Sequence, residues 1–198
     1  MDDARPLINL LGEHVALGPV DASEHAATVA RWYSDYGMLR NLGGLPGPHT
    51  RERIGGLFES GGLLGDPANA AFAVYETGSW GLVGVAGLTH VDRGAELFVV
   101  IGEARHRGKG FGTEATRLVL DHAFLALGLA NVMLHVIATN LAGIRAYEKA
   151  GFRRIGVRRQ SKLMGGRLWD TVYMEALAEE FDSTVLGTVL LLDEPEGT

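Results

Sequence analysis

Between Arg105 and Ala115 the chain reads RHRGKGFGTEA, three glycines at single-residue spacing among three cations. Gly108, Gly110 and Gly112 let a backbone approach a ligand closely. The N–H groups around them can point at phosphate oxygens, helped by the positive end of a helix that starts there. Arg105, Arg107 and Lys109 add charge beside such a nest. The pattern predicts a pyrophosphate site; the plain alternative is a strand-to-helix corner with solvent-facing cations. Neither familiar phosphate loop fits. No Gly-Lys pair is followed by Ser or Thr, and the spacing is G-x-G-x-G rather than G-x-G-x-x-G.

Other chemistry-bearing residues are scattered along the chain. His135 has a side chain suited to proton transfer, but strict alternation in VMLHVI sets it beside Met133 and Ile137, so a packed core histidine is the preferred reading. His90 follows a strand and could face a cleft. Trp32 and Tyr36 share an i,i+4 helix face, as a pocket wall or, more simply, as a core stripe. His106, between two arginines, reads as exposed. Arg153, Arg154, Arg158, Arg159, Lys162 and Arg167 read mainly as surface charge on late strands. No H-E-x-x-H or Cys/His spacing suggests a metal, and none is expected.

The elements that must hold these residues follow from periodicity. His14–Val20 predicts a first strand. Asp21 or Ser23 caps a helix to about Leu39, and Thr50–Leu57 a second one weakened by Gly55–Gly56. Ala71–Glu76 and Trp80–Thr89 form a hairpin around Thr77–Ser79. Glu96–Ile101 is apolar enough to be central and covered on both faces. Thr113–Leu127 is a long helix, Val132–Ile137 a buried strand, and Asn140 caps a helix ended by Gly151. Phe152–Val157 and Leu168–Met174 close the chain as strands around a Lys162–Arg167 turn. The eight glycines of Gly43–Gly65 suggest loops, either a substrate wall or a loose connection.

The order describes one mixed α/β domain, reasonable for 198 residues with 46% hydrophobic content. The absence of Cys excludes thiol catalysis, disulfides and Cys-ligated clusters. No apolar run reaches the roughly 20 residues of a membrane helix, and the acidic start MDDARP is unlike a signal peptide, so a cytoplasmic protein is expected. No zinc finger, RNP aromatic pair or helix-turn-helix pattern speaks for nucleic acid. The net charge of −6 is segregated. Residues 1–100 carry 6 basic and 12 acidic side chains, 101–174 carry 12 and 5, and 175–198 carry 0 and 7. That predicts a local anion site in the middle segment, with an acidic first half supplying much of the acceptor side.

The RGKGFG turn, with Arg107, Gly110 and Gly112, resembles the acetyl-CoA turn R/Q-x-x-G-x-G/A of the GNAT N-acetyltransferases. TNLAGIRAYEKAGFRRIG, Thr139–Gly156, is similar to their Asn-to-Tyr-to-Gly-Phe segment. GRLWDTVYMEAL, Gly166–Leu177, resembles the closing strand of the branch that acetylates ribosomal-protein N-termini. The likeness covers about Val15–Glu180. It implies an acyl-CoA N-acyltransferase fold whose central sheet, flanked by helices, splays between the fourth and fifth of the strands above, with acetyl-CoA in the gap. Pantetheine would pair near Phe98, Val99, Val100 and Ile101, and pyrophosphate would sit on the amides of Arg107–Thr113, Phe111 included. Asn140 would touch the pantetheine arm, Tyr147 would be the general acid at the CoA sulfur, and Glu96 the base. Trp32, Tyr36 and His90 would line the acceptor site.

The activity implied is acetyl transfer to a primary amine: a peptide N-terminus, a polyamine-like metabolite or an aminoglycoside-like compound. The alternative is a CoA-sensing or interaction domain without turnover, which would bind CoA but transfer nothing. Val185–Leu192 reads as an added strand or a homodimer contact, and Asp193–Thr198 as a frayed end.

Overall fold

The computed structural model describes residues 5–42, 48–59, 69–91, 94–183 and 185–190. The calls for loops at 43–47 and 60–65, for the end of the Val185–Leu192 segment and for a frayed Asp193–Thr198 lie outside them. Among the described residues the strands are β1 (Leu10–Leu11), β2 (Val15–Pro19), β3 (Ala70–Glu76), β4 (Leu82–Thr89), β5 (Gly94–Ile101), β6 (Asn131–Ile137), β7 (Arg153–Met164) and β8 (Arg167–Leu177). They form one sheet in the order β1-β2-β3-β4-β5-β6-β8-β7. Every neighbouring pair is antiparallel except β5 and β6. The expected mixed sheet flanked by helices is present, with β1 as a short addition.

Helices cover both faces. On one, α1 (Ala22–Tyr33), α2 (Tyr36–Leu42) and α3 (Arg51–Phe58) bury Val29, Trp32, Met38, Leu39 and Ile54 against Val85 and Val100. On the other, α4 (Phe111–Asp121) and α5 (Leu141–Ala150) bury Leu118, Val119 and Ile144 against Leu97, Val132 and Leu134. Alternation along β5 and β6 assigns each residue to one of these faces.

The single long helix expected to reach Leu39 is two helices. The Asp21 carboxylate caps α1 by accepting the Ser23 and Glu24 N–H groups. The helix stops at Ser34, because Asp35 offers a second cap: its Oδ1 accepts the Gly37 N–H at 2.8 Å, and its carbonyl accepts those of Met38 and Leu39. Trp32 and Tyr36 therefore share no helix face. Thr50 caps α3 as its sequence suggests. The long helix after the glycine turn is regular only to Asp121 and continues as a π-helical turn, His122–Ala126. The last two strands are longer than their patterns indicated.

Among the described residues the C-terminal segment adds no strand. Val185 and Leu186 pack on the core and lead into the short helix α6 (Gly187–Leu190). Its anchor is buried Asp121 at the end of α4, whose carboxylate accepts the Ser183 hydroxyl and, at 3.0 Å, the Val185 N–H. Asp121→Ala leaves those donors unpaired. We expect it to cost about 1–3 kcal/mol in urea unfolding and to speed limited proteolysis after Glu180, as followed by mass spectrometry.

Candidate functional site

β5 and β6 pair only at Gly94↔Asn131, Ala95↔Val132 and Glu96↔Met133. Beyond that point β5 keeps its β4 partner as far as Ile101, and β6 keeps its β8 partner as far as Ile137, but the two no longer meet. The sheet opens into a cleft of about 360 Å³. Its walls are Val99, Val100 and Ile101 of β5, the turn residues Arg107, Gly108, Gly110, Gly112 and Thr113, and Asn140, Ala146 and Tyr147 from α5 and its cap. Met38, Asn41 and Leu42 of α2 close one side. Central β5 is consequently not covered on both faces: Phe98, Val99 and Ile101 are only half-buried.

Gly110 precedes α4 in the left-handed region at φ +91°, and the helix ladder begins with Glu114 N–H donating to the Gly110 carbonyl. The first-turn amides of Phe111, Gly112 and Thr113 have no carbonyl four residues back inside the helix. They face outward with the positive end of its dipole, which suits an anion. Of the three cations that the spacing suggested, only Arg107 lines the cleft. Arg105 is 73% exposed and pairs with Glu103 at 2.6 Å. Lys109 lies 5.8 Å over the Phe111 ring, and that ring is in the core. Neither Arg105 nor Lys109 nor the ring of Phe111 lines the cleft. Arg107 does, but its guanidinium donates to the carbonyls of Ile101 (3.2 Å) and Gly102, tying the end of β5 to the turn. Arg145 and Lys149, four residues apart on α5, supply the cleft's other positive charge. That spacing, on the helix carrying Tyr147, was the available signal. His106 is buried rather than exposed, lining the cleft with an Nδ1 that has no hydrogen-bond partner among the described residues.

Asn140 uses both ends of its side-chain amide. Oδ1 accepts the Gly143 N–H at 2.9 Å as the α5 cap, and Nδ2 donates to the Asn41 carbonyl at 3.2 Å, drawing α2 toward α5. Tyr147 stands edge-on to Phe152, with ring centroids 6.1 Å apart. Part of its ring is open to the cleft, while desolvation pushes its hydroxyl pKa up to about 12.

A second hollow, of about 570 Å³, lies where the strands part and is lined by His90, Glu96, Met133, His135 and Tyr173 among others. Glu96 is hydrogen-bonded to His135 Nδ1. That bond holds the Glu96 carboxyl below its ordinary value against the opposing effect of burial, and positive charge at His135, His90 and Lys162 adds to the lowering. His135 is therefore not a core histidine. Val132, Leu134 and Val136 face the core under α4, whereas Met133 and His135 are exposed on the opposite face, where α1–α3 pack over β4 and β5. Of the acidic side chains in the described first half, Glu96 alone lines this hollow. Trp32 is 4% exposed beneath Gly102, where any Cβ would collide with its indole, and Tyr36 is 86% exposed; neither lines a hollow. Phe98 leans on the α1–α3 core.

The sheet thus opens beside a helix start with free first-turn amides and, at the last β5–β6 pair, carries a bonded carboxylate–imidazole pair. The chain belongs to the acetyltransferase (GNAT) domain family, whose model matches residues 14–153; the family moves an acetyl group from acetyl-CoA to an amine. It is 36% identical over 102 residues to a probable N-acetyltransferase, YjcK, of Bacillus subtilis (50% of this chain, 56% of that protein). It is 31% identical over 101 residues to the spermidine N(1)-acetyltransferase of Vibrio cholerae (51% and 58%). The chain thus spans little more than half the length of these curated relatives. The crystal structure of the Vibrio cholerae spermidine N-acetyltransferase in complex with CoA and spermine has the same fold, at TM-score 0.76 and 22% identity, covering 85% of this chain and 98% of that one. A GNAT acetyltransferase from Bacillus anthracis matches at TM-score 0.72 and 22% identity (86% and 99%). These relatives support the family, not the ribosomal-protein branch that the closing strand resembles. Among the described residues no helix is long and apolar enough to cross a membrane, and no cluster of three or more His, Asp or Glu could hold a metal.

Two glycines separate ligand approach from backbone strain. A Cβ at Gly112 would make an ordinary 3.7 Å contact with Ile101 in a regular helical turn. Gly112→Ala should therefore keep or raise stability, by up to about 1 kcal/mol, while lowering CoA affinity about tenfold in calorimetric titration. Gly110→Ala, at positive φ, should lose both.

Proposed function

We propose that this chain transfers the acetyl group of acetyl-CoA to a primary amine held in the second hollow, both substrates being bound at once. The observation that carries this reading is that Glu96, bonded to His135, ends the paired stretch of β5 and β6, while the donor cleft begins three residues further along β5 at Val99, so both flank the point where these strands part. The donor's pyrophosphate fits the amides of Phe111–Thr113, with Arg145 and Lys149 nearby, and its pantetheine fits the backbone edge of Val99–Ile101, which has lost its β6 partner. Acetyl-CoA supplies an activated thioester, so the chain's task is alignment and proton handling.

Glu96 stays anionic throughout the neutral range because its carboxyl is held low. It is then suited to orient His135 and to stabilise the imidazolium formed when the amine gives up its proton. Tyr147, neutral at every working pH, points a hydrogen-bond donor toward the developing thiolate. Full proton transfer from a phenol of pKa about 12 to a thiolate of cysteine-like basicity (~8.5) would be uphill by roughly 5 kcal/mol. Tyr147 therefore acts as a hydrogen-bonding acid rather than an early proton source. His90 stands at the hollow's rim with its N–H tied to Asn69.

A cytoplasmic location belongs to the same reading, since the donor is an intracellular metabolite. So does a second copy meeting exposed Val189 and Leu190 of α6. The acceptor is a peptide N-terminus, ribosomal or other, or a small amine such as the spermidine named for its relatives. The deciding experiment is a CoA-release screen over peptides, polyamines, amino sugars and amino acids, with products weighed by mass spectrometry. CoA binding without any acylated product would make the chain a CoA-sensing domain instead.

Tyr147→Phe should lower single-turnover rates by about 10²-fold with unchanged acetyl-CoA affinity; an unchanged rate would remove its role. Glu96→Gln gives a pH test in stability as well as rate. A carboxyl lowered on folding contributes stability that is complete above its unfolded value, near 4.5, and is lost as pH falls through the folded value. Urea titrations should show wild type losing stability below pH 4.5 more steeply than Glu96→Gln, and turnover at neutral pH should fall about 10- to 100-fold in the variant.

A further inference from the structure

The hairpin of β7 and β8 carries charge that the acetyl-transfer reading does not use. Residues directly opposite each other in an antiparallel pair share a face of the sheet. His135 lies opposite Tyr173, and Tyr173 opposite Gly156; two residues further along, Thr171 lies opposite Arg158, and then Trp169 opposite Lys162. Two extra residues in β7 between Arg158 and Lys162, with Gln160 at φ +52°, keep that parity, so both cations stand on the face that bears His135 and Tyr173. The bulge is held in place. Asp170 Oδ1 accepts the Gln160 N–H at 2.9 Å, and the Ser161 and Thr171 hydroxyls bond at 2.6 Å.

Two cations at the start of β7 are neutralised, whereas Arg158 and Lys162 are not. Arg153 pairs with Glu180 at 2.8 Å and Arg154 with Glu148 at 2.9 Å. Among the described residues Arg158 and Lys162 have no carboxylate within ion-pair distance. Arg158 is exposed and Lys162 half-buried. The register sets Lys162 on the His135 face, and its charge helps to hold the Glu96 carboxyl low. The acceptor hollow thus has Glu96 and His135 in its lining, and a wall of unpaired positive charge stands outside that lining, on the same face of the sheet two strands away.

We infer that the acceptor is an amine bearing an anionic group, a carboxylate or a phosphate, which Arg158 and Lys162 receive while the amine lies at Glu96–His135. The inference rests on the acetyl-transfer reading. Two strand spacings and two residue rises set the His135 and Arg158 backbones roughly 12 Å apart. A long cationic side chain spans half of that, leaving roughly 6–9 Å between amine and anion. A peptide whose second or third residue is acidic matches that span. A free polyamine, such as the substrate named for the spermidine acetyltransferases, would bring a second cation against this wall.

The test compares acetylation of Ala-Glu-Ala, Ala-Gln-Ala and Ala-Lys-Ala amides, spermidine and an aminoalkyl phosphate, by kcat/KM. The wild type should prefer the acidic peptide over the neutral one roughly three- to tenfold, with the lysine peptide and spermidine poorest and the preference shrinking as salt is added. Activity on the phosphate above that on the acidic peptide would identify phosphate as the anion. The Arg158→Glu/Lys162→Glu double variant should reverse the ratio of acidic to lysine peptide, and Arg158→Lys/Lys162→Arg should retain it. Preference for spermidine or the lysine peptide in the wild type overturns the inference even if the reversed variant does not fold, and so does an unchanged ratio in a folded reversed variant. If no acceptor is acetylated, the acetyl-transfer reading fails. Calorimetric binding of the same peptides to the CoA-loaded chain then still tests the charge preference, equal affinities overturning it.

Discussion

Two parallel strands that pair for three residues and then separate are the constraint on which this molecule is built. A buried strand edge without a partner costs free energy for every unbonded N–H and C=O. β5 and β6 nevertheless part after Glu96 and Met133, each still bonded on its far side. The opening survives because other contacts hold its two arms in register. Arg107 clamps the end of β5 from within the glycine turn, Thr113 Oγ1 reaches the Ala146 carbonyl between α4 and α5, and Asn140 reaches Asn41 from α5 to α2. The backbone edge of Val99–Ile101 is thereby left without its β6 partner and lines the cleft.

The same constraint explains the division of labour. Because alternation assigns side chains to faces, Leu97, Val132 and Leu134 point under α4 into the core, whereas on the other face Val100 packs under α1–α3 and Glu96, Met133 and His135 line the second hollow. Glu96 and His135 come from different strands and are 39 residues apart, yet they meet on that second face near the point of divergence. A continuous sheet could hold such a pair, but it would have no neighbouring cleft for a donor. Placement beside the opening converts an ordinary strand-surface hydrogen bond into a candidate proton acceptor.

What the sequence disclosed follows the range of the interactions involved. The RGKGFG turn, the Thr50 and Asn140 caps and the Gly151 terminator are local, and they stand where their patterns put them. The split sheet was legible only by resemblance, since loss of pairing between β5 and β6 leaves no trace in either strand's composition. His135 was misread because alternation identifies two faces but not which one a helix covers. Trp32 and Tyr36 were joined because Asp35 can be read either as a helix residue or as a new cap, and only its bond to Gly37 decides. Arg105 and Lys109 show the limit of counting charges, since an adjacent Glu103 and an aromatic ring claimed them first.

Charge segregation along the chain takes on a spatial meaning once the topology is known. The basic segment 101–174 does not form one patch. α5 sends Arg145 and Lys149 into the donor cleft, whereas Arg158 and Lys162 stand on the opposite face of the arm that β6, β8 and β7 form. The acidic first half is spent mostly on caps and exposed surface, with Asp21 at the start of α1 and Asp35 at the start of α2. Among its described acidic residues only Glu96 lines the second hollow. A net negative chain therefore carries separate groups of cations on the two faces of this arm, with the Glu96 carboxylate at the point where β5 and β6 part. Charge placed in this way steers ligands by their own charge. The basic segment that first suggested an anion site near residue 110 is thus divided by the topology, and the proposed anionic acceptor rests on its second group alone.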